Sequence, residues 1–164
     1  MTRTHFKKKE TRKRRRELFD IVSKHLLGQM ELSQNVGACR YRKHKQSGDT
    51  IRCAVGAIIP DDMYEFGMEG KNIAVLLSKF PSLRYTWGVN IENELDRDNI
   101  LWPLKIPTEF NKLTPWWKIG STVESQLTLQ MLMELQECHD YSLCRDWKHN
   151  LDRIEEDFLT CYGL

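Results

Sequence analysis

The segment from Cys39 to Tyr64 constrains the fold most, because it combines a β-hairpin pattern with a sharp turn that leads into a helix. Two short runs, 38–43 and 51–57, have strand character and are separated by a Gln-Ser-Gly-Asp turn. Gly48 supplies the permissive backbone that such a turn favours. The sequence therefore predicts one β-hairpin near the start of the chain.

The end of this segment leads to three further structural predictions. Gly56 inside the second run predicts a bulge or a close backbone approach. Pro60 with Asp61 and Asp62 predicts the start of a helix, since proline suits a first turn and early acids complement the helix dipole. Asp61, Asp62 and Glu69 could hold a divalent cation. The alternative is that these carboxylates cap a helix and pair with nearby arginines.

Helical spacing predicts four helices. The first spans about 11–27 with Gly28 as its stop signal, and the second spans about 72–80 and ends at Pro81. Two more form an antiparallel hairpin at the end of the chain, because their connection is short. The expected buried stripes are Leu18, Ile21, Val22, Leu26 and Met30; Ile73, Leu76, Leu77 and Phe80; Val123, Leu127, Met131, Leu135 and Cys138; and Trp147, Leu151, Ile154 and Phe158.

Residues 84–120 show no lasting period, so we expect irregular loops and short helical turns over the core. They hold four of the five tryptophans, which fill the core as large hydrophobes or form a partner surface. Ser121 and Glu124 resemble a capping box for the following helix. His139 and Asp140 are expected to end that helix.

These elements predict an α+β fold dominated by helices, with an N-terminal helix, one β-hairpin and a C-terminal helical hairpin. A length of 164 residues suits one domain. We divide the chain into a basic N-terminal arm, residues 1–16, and a single globular domain, residues 17–164. No apolar run approaches the ~18 residues of a membrane span, and no apolar stretch follows the basic start. We therefore expect a cytoplasmic protein without a membrane partner.

Charge is divided unevenly along the chain. Residues 1–16 hold nine Lys or Arg against one Glu, a net charge of +8, which leaves −6 for the remaining residues of a chain whose total is +2. A basic arm can neutralise phosphates of a nucleic acid by releasing counterions. It could instead dock on an acidic protein surface, its own included, or form a solvated helix start. The candidate contact residues are Arg12, Lys13, Arg14, Arg15, Arg16, Arg40, Arg42 and Arg52.

Four residues are candidates for catalysis or metal binding. If Cys39 and Cys53 face each other across the predicted hairpin, they could form a thiol pair or part of a metal site. The alternative is that both are small buried hydrophobes. Five cysteines without a close pair argue against a disulfide framework and weaken a zinc site. His139 followed by Asp140 is typical of metal-dependent phosphohydrolases, but further ligands are not evident. His139 could also pair with either cysteine as a base, or serve as a helix C-terminal residue.

Common catalytic and nucleotide-binding motifs are missing from the sequence. It contains no GxxxxGK[ST], GxGxxG, GxSxG or HExxH pattern. We therefore predict no cofactor, no catalytic residue and no metal ligand in the leading interpretation.

A resemblance adds a biological setting. One pattern in the sequence consists of Cys39-Arg40-Tyr41-Arg42, Gly48, the run from Cys53 to Tyr64, Glu69-Gly70, the run from Leu135 to Asp140, and Trp147. This pattern resembles a group of small proteins of tailed bacteriophages and prophages. The similarity covers roughly residues 20–80 and 125–164. It implies a phage context, in which small proteins bind host machinery or block defence systems.

Three functional hypotheses follow. The leading one is a phage-type accessory protein that binds a host protein or ribonucleoprotein in the host cytoplasm, for host takeover or anti-defence, without catalysis. The second is nucleic-acid binding through residues 1–16. The third is a small metal- or thiol-dependent enzyme that uses Cys39, Cys53, His139 and Asp140.

Overall fold

The computed structural model describes residues 8–35, 38–89 and 123–160. These ranges contain five α-helices and two short antiparallel strand pairs, which confirms the predicted helix-dominated α+β class. The elements are α1 (Lys8–Gln29), β1 (Gln34–Asn35), β2 (Ala38–Cys39), β3 (Arg42–His44), β4 (Thr50–Arg52), α2 (Ile73–Lys79), α3 (Pro81–Trp87), α4 (Val123–Tyr141) and α5 (Trp147–Glu155). None of these described helices is both long and apolar enough to cross a membrane.

Helices α1, α4 and α5 pack together around the core. Helix α1 runs parallel to α4, because Arg15 reaches Glu124 at the start of α4 and Ser33, just beyond α1, reaches His139 near its end. Helix α5 returns antiparallel to α4, as the short connection predicts. Its buried stripe is the predicted one, Trp147, Leu151, Ile154 and then Phe158 in a π-helical turn, Glu156–Thr160.

Helix α4 is buried on most of its surface. Its predicted stripe is buried from Leu127 to Cys138, and several further side chains are enclosed with it: Ser125, Thr128, Leu129, Leu132 and His139. The helix runs one residue past the predicted end, to Tyr141. Ser121 of the predicted capping box lies outside the described residues.

The first helix differs from its prediction in two ways. Ile21 and Met30 are about half exposed, because the face that packs inward is formed by Leu18, Phe19, Val22 and polar residues closer to the N-terminus. The helix also passes Gly28 and ends at Gln29, and Met30 takes the left-handed conformation with φ 47°. Gly28 is therefore not the stop signal.

The predicted hairpin is present but shorter than expected. Strands β3 and β4 pair with Arg42 opposite Arg52, and Gly48 occupies the turn with φ 91°. A bend at Tyr41 separates β2 from β3, and β2 pairs instead with β1. The second run leaves the strand after Arg52, since residues 53–55 turn into a 3-10 helix, Gly56–Ile58.

Gly56 is required at the base of the hairpin, as the sequence suggests. A Cβ atom at this position would lie 2.0 Å from the carbonyl oxygen of Tyr41. The expected helix after Pro60 is absent, because residues 61–63 form only a turn, and a second 3-10 helix, Phe66–Met68, follows.

The next two helices share a proline. Asn72 caps α2 by accepting a hydrogen bond from the Val75 N–H at 2.9 Å, close to the predicted boundary. Pro81 ends α2 as predicted, and it also begins α3, whose second half, residues 84–87, falls in the stretch predicted to form irregular loops and short helical turns. Trp87 at the end of α3 is fully buried and donates a hydrogen bond to the Ile58 carbonyl, so this tryptophan fills the core. The other three tryptophans of 84–120 lie outside the described residues.

Candidate functional site

The structure separates the candidate arginines into two groups. The first lies in α1, which continues without a break across the predicted boundary between residues 16 and 17. Arg15 is fully buried, and its Nη2 lies 3.0 Å from Oε2 of Glu124. Arg12 Nε lies 2.9 Å from the other carboxylate oxygen. Burial lowers the pKa of Arg15, while the charge of Glu124 opposes that shift.

The remaining α1 candidates also meet carboxylates of this chain. Arg16 donates to Glu155 of α5 at 2.5 Å, and Arg14 donates to Glu17 at 2.9 Å. Lys13 is the most exposed of the set. Of the alternatives for the basic arm, docking on acidic residues of the protein itself is therefore the one that fits Arg12, Arg15 and Arg16.

The second group lies on the hairpin. Arg42 and Arg52 are direct cross-strand partners, so both project from the same face. Their Nη2 atoms each lie 2.8 Å from Oδ1 of Asp61. Arg42 also donates to the Ile59 carbonyl and lies over the ring of Tyr64, with its guanidinium carbon 4.1 Å from the ring centre. Arg40 is half-buried, and its backbone N–H donates to the Ser33 carbonyl.

Glu69 holds this group in place. Its carboxylate accepts hydrogen bonds from the backbone N–H groups of Tyr41 and Arg42, each at 3.0 Å, and from the Tyr64 hydroxyl at 2.7 Å. Burial and the bond to this carboxylate raise the pKa of Tyr64 to about 12. Asp61 and Glu69 are thus committed to arginines and to the hairpin backbone, which favours the structural alternative over a shared cation.

Phe66 follows Tyr64 closely in sequence and was not among the predicted contact residues. Its side chain is 79% exposed, although it sits only two residues after Tyr64 and three before the anchoring Glu69. The one available signal was an aromatic residue among turn-forming residues with no partner at helical spacing. We define the hairpin patch as Arg42, Arg52, Asp61, Tyr64 and Phe66.

Three of the four residues of the enzyme hypothesis come together in space. Cys39, His139 and Asp140 each offer one ligand atom, and the three atoms lie within 4.8 Å of one another. Cys53 is fully buried, and its sulfur accepts a hydrogen bond from the Gly56 N–H at 3.3 Å. Gln136, one helical turn before Asp140, donates to Cys39 Sγ at 3.0 Å and to Asp140 Oδ1 at 2.8 Å. The spacing of four between residues 136 and 140 could have revealed this partner.

Both ring nitrogens of His139 already have partners. The backbone N–H of Ser33 points at Nε2 at 3.1 Å, so Nε2 must keep its lone pair and accept. The proton then lies on Nδ1, which faces Asp140 Oδ1 at 2.8 Å. Trp147 stacks on the fully buried ring with centres 5.6 Å apart.

This arrangement does not suit a metal or a nucleophilic thiol. A metal needs a free imidazole lone pair, but the lone pair of His139 is used by Ser33. A cysteine nucleophile needs a base with a free nitrogen facing it. The hydrogen bond with Cys53, followed by burial, raises the pKa of Cys39, although the contact with His139 opposes this. Cys39 is therefore a neutral thiol near neutral pH.

Asp140 is the ionised member of the cluster. Burial would raise the pKa of its carboxyl group, but hydrogen bonds from His139 and Gln136 outweigh burial and lower the pKa. The network joins α4 to the hairpin, because Gln136 also accepts from the Val55 N–H at 3.1 Å.

No family model, curated protein or solved structure matches this chain.

Proposed function

We propose that this protein acts by binding another protein through the hairpin patch, without catalysis. The observation that carries this proposal is the exposure of Phe66 two residues after Tyr64, whose ring holds Arg42 in position. Exposed aromatic and arginine residues on one loop and hairpin are the residue types that protein interfaces favour.

The composition of the patch supports a binding role. Arginine and aromatic residues are enriched in the centres of protein interfaces, where they contribute most of the affinity. Arg42 is held by the ring of Tyr64 and the carbonyl of Ile59, so little side-chain freedom is lost on binding. Asp61 is 71% exposed, which leaves its outer oxygen open to a cation of the partner.

The resemblance to phage proteins suggests the kind of partner. We propose a host protein or ribonucleoprotein in the host cytoplasm, bound for host takeover or anti-defence. His139 argues in the same direction, because its ring is fully buried and its Nε2 lone pair accepts from the backbone N–H of Ser33 rather than facing a substrate.

A second candidate is nucleic-acid binding through α1. Its support is narrower than the sequence suggests, because Arg12, Arg15 and Arg16 are paired with carboxylates of this chain. Lys13 and Arg14 are exposed, and each forms an ion pair with Glu17. Such binding would weaken steeply as salt rises.

Affinity capture from a bacterial lysate tests the leading proposal when it is run with matched variants. We expect one protein to be retained by the wild type after nuclease treatment and lost by Phe66→Ala. Tyr141→Ala serves as the control, since Tyr141 is also an exposed aromatic residue but belongs to the end of α4.

Two outcomes would overturn the proposal. Retention of the same protein by Phe66→Ala would remove the patch from the interface. A partner set that disappears with nuclease, or upon addition of salt, would transfer the support to the nucleic-acid candidate.

A further inference from the structure

The exposed charges that precede Phe66 in its loop are all negative. Asp62 and Glu65 are exposed, and neither forms an ion pair with a described residue. Asp61 is 71% exposed and pairs with the hairpin arginines through one carboxylate oxygen, Oδ1. We call residues 61–66 the acidic loop. A partner that covers Phe66 therefore meets carboxylates around the aromatic ring.

The arginines of the hairpin contribute less charge to the same surface. The Arg42 side chain is only 10% exposed and that of Arg52 is 28% exposed. Both guanidinium groups donate to Asp61, and Arg42 also donates to the Ile59 carbonyl. The two arginines thus fix the direction of the Asp61 carboxylate, and they lie behind it rather than in front of it.

The acidic loop is anchored at both ends. At its start, the backbone N–H groups of Met63 and Tyr64 donate to the Pro60 carbonyl, each at 3.1 Å. At its end, the side chain of Met68 is buried in the core, and Glu69 accepts from the Tyr64 hydroxyl at 2.7 Å. A surface that is already ordered loses little conformational freedom when a partner binds.

We propose that the acidic loop docks on a basic surface of the partner protein, with Phe66 in contact with that surface. This inference rests on the proposed binding function and names the chemistry of the partner. Carboxylates and the face of an aromatic ring both attract a guanidinium or ammonium group, and Glu65 and Phe66 supply the two side by side in the chain.

The charge of the rest of the chain acts in the same direction. Residues 17–164 carry a net charge of −6, which attracts a basic protein over longer distances and repels the phosphates of a nucleic acid. The partner surface that the acidic loop covers is therefore protein, also where the partner is a ribonucleoprotein.

Peptide titrations followed by NMR test the proposal on the full chain. The probes are a lysine, a serine and a glutamate peptide that share one leucine-rich centre and differ only in the flanking residues. We expect the lysine peptide to shift the amide signals of residues 61–69 and to bind about tenfold more tightly than the serine peptide, with the glutamate peptide weakest. Added salt should weaken the lysine peptide without abolishing its binding, because contact with the aromatic ring is not screened.

Two charge reversals separate the acidic loop from the net charge of the chain. Asp62→Lys with Glu65→Lys reverses the loop, whereas Glu137→Lys with Glu156→Lys makes the same change in net charge at exposed positions of α4 and of the π-helical turn after α5. The first pair should weaken the lysine peptide about tenfold and favour the glutamate peptide, and the second should stay within about twofold of the wild type.

The outcomes distinguish this proposal from the function on which it rests. No shift at residues 61–69 with the lysine peptide, equal affinity for the three peptides, or an equal loss in both reversed variants would overturn the basic partner. If Phe66→Ala weakens all three peptides while none is preferred, the hairpin patch remains an interface and only its basic partner is wrong. If Phe66→Ala binds every peptide as the wild type does, the proposed function fails as well.

Discussion

This protein has two groups of arginines, and in each group two arginines pair with one shared carboxylate. The two groups differ in how far that carboxylate is buried. In α1, Arg12 and Arg15 share Glu124, whose side chain is only 8% exposed. On the hairpin, Arg42 and Arg52 share Asp61, whose side chain is 71% exposed. The carboxylate of the first group lies inside the helix packing, whereas that of the second is exposed, although the Arg42 side chain that it pairs with is only 10% exposed. The burial of the shared anion, rather than the number of cations, therefore separates a structural cluster from the proposed contact surface.

Breaking the buried pair should have the largest effect on stability. Glu124→Gln leaves Arg15 charged, fully buried and without its counterion, which costs about 3–5 kcal/mol. Urea denaturation of wild type and variant measures the difference in the free energy of unfolding. A loss below about 1 kcal/mol would show that water reaches this pair and would remove the contrast between the two groups.

Gly56→Ala tests whether the close approach of Gly56 to the Tyr41 backbone positions the hairpin. The new methyl group would meet the Tyr41 carbonyl oxygen, so the strands must shift, and we expect a loss of about 1–3 kcal/mol together with weaker partner binding. Gly67→Ala is the matched control, because a Cβ there meets nothing within 4 Å. Equal stability of the two variants would mean that the close approach at Gly56 does not position the patch.

Asp140 offers a carboxylate of intermediate exposure, 21%. Its pKa lies below that of the unfolded chain, so it stabilises the fold above pH ~4 and loses that contribution as pH falls through the folded value. Asp140→Asn should cost about 1 kcal/mol at pH 7 and lose less stability than wild type between about pH 5 and pH 2. Parallel pH profiles for both proteins would contradict this.

The smallest stability effect should come from the exposed pair. Asp61→Asn should change the free energy of unfolding by at most about 1 kcal/mol, because ion pairs in water contribute little. The same urea titration used for Glu124→Gln checks it. A loss as large as that of the buried variant would place Asp61 in the structural class and weaken the assignment of the patch.

Much of the fold could be predicted from local patterns. The stripe of α5 and most of the α4 stripe are buried as expected, and Gly56 meets the backbone of Tyr41. Local patterns failed where a distant residue decides the outcome. The inward face of α1 includes Arg15, whose burial depends on Glu124 more than one hundred residues away and was not expected for an arginine.

The candidate site shows the same division. Proximity in sequence joins His139 to Asp140, but the register that places Arg42 opposite Arg52 is not fixed by the predicted turn. The tautomer of His139 depends on the N–H of Ser33, which the sequence does not bring near it. Neither of these could be read from periodicity.

The most direct test of the contrast compares the affinity of the captured partner for two double variants at one salt concentration. Phe66→Ala with Arg52→Ala alters the hairpin patch, and Lys13→Ala with Arg14→Ala alters the exposed cations of α1. We predict that the first weakens binding at least about tenfold, as loss of a hot-spot residue does, while the second stays within about twofold of the wild type. Loss of affinity in the α1 variant with retention in the hairpin variant would contradict the assignment of the two groups.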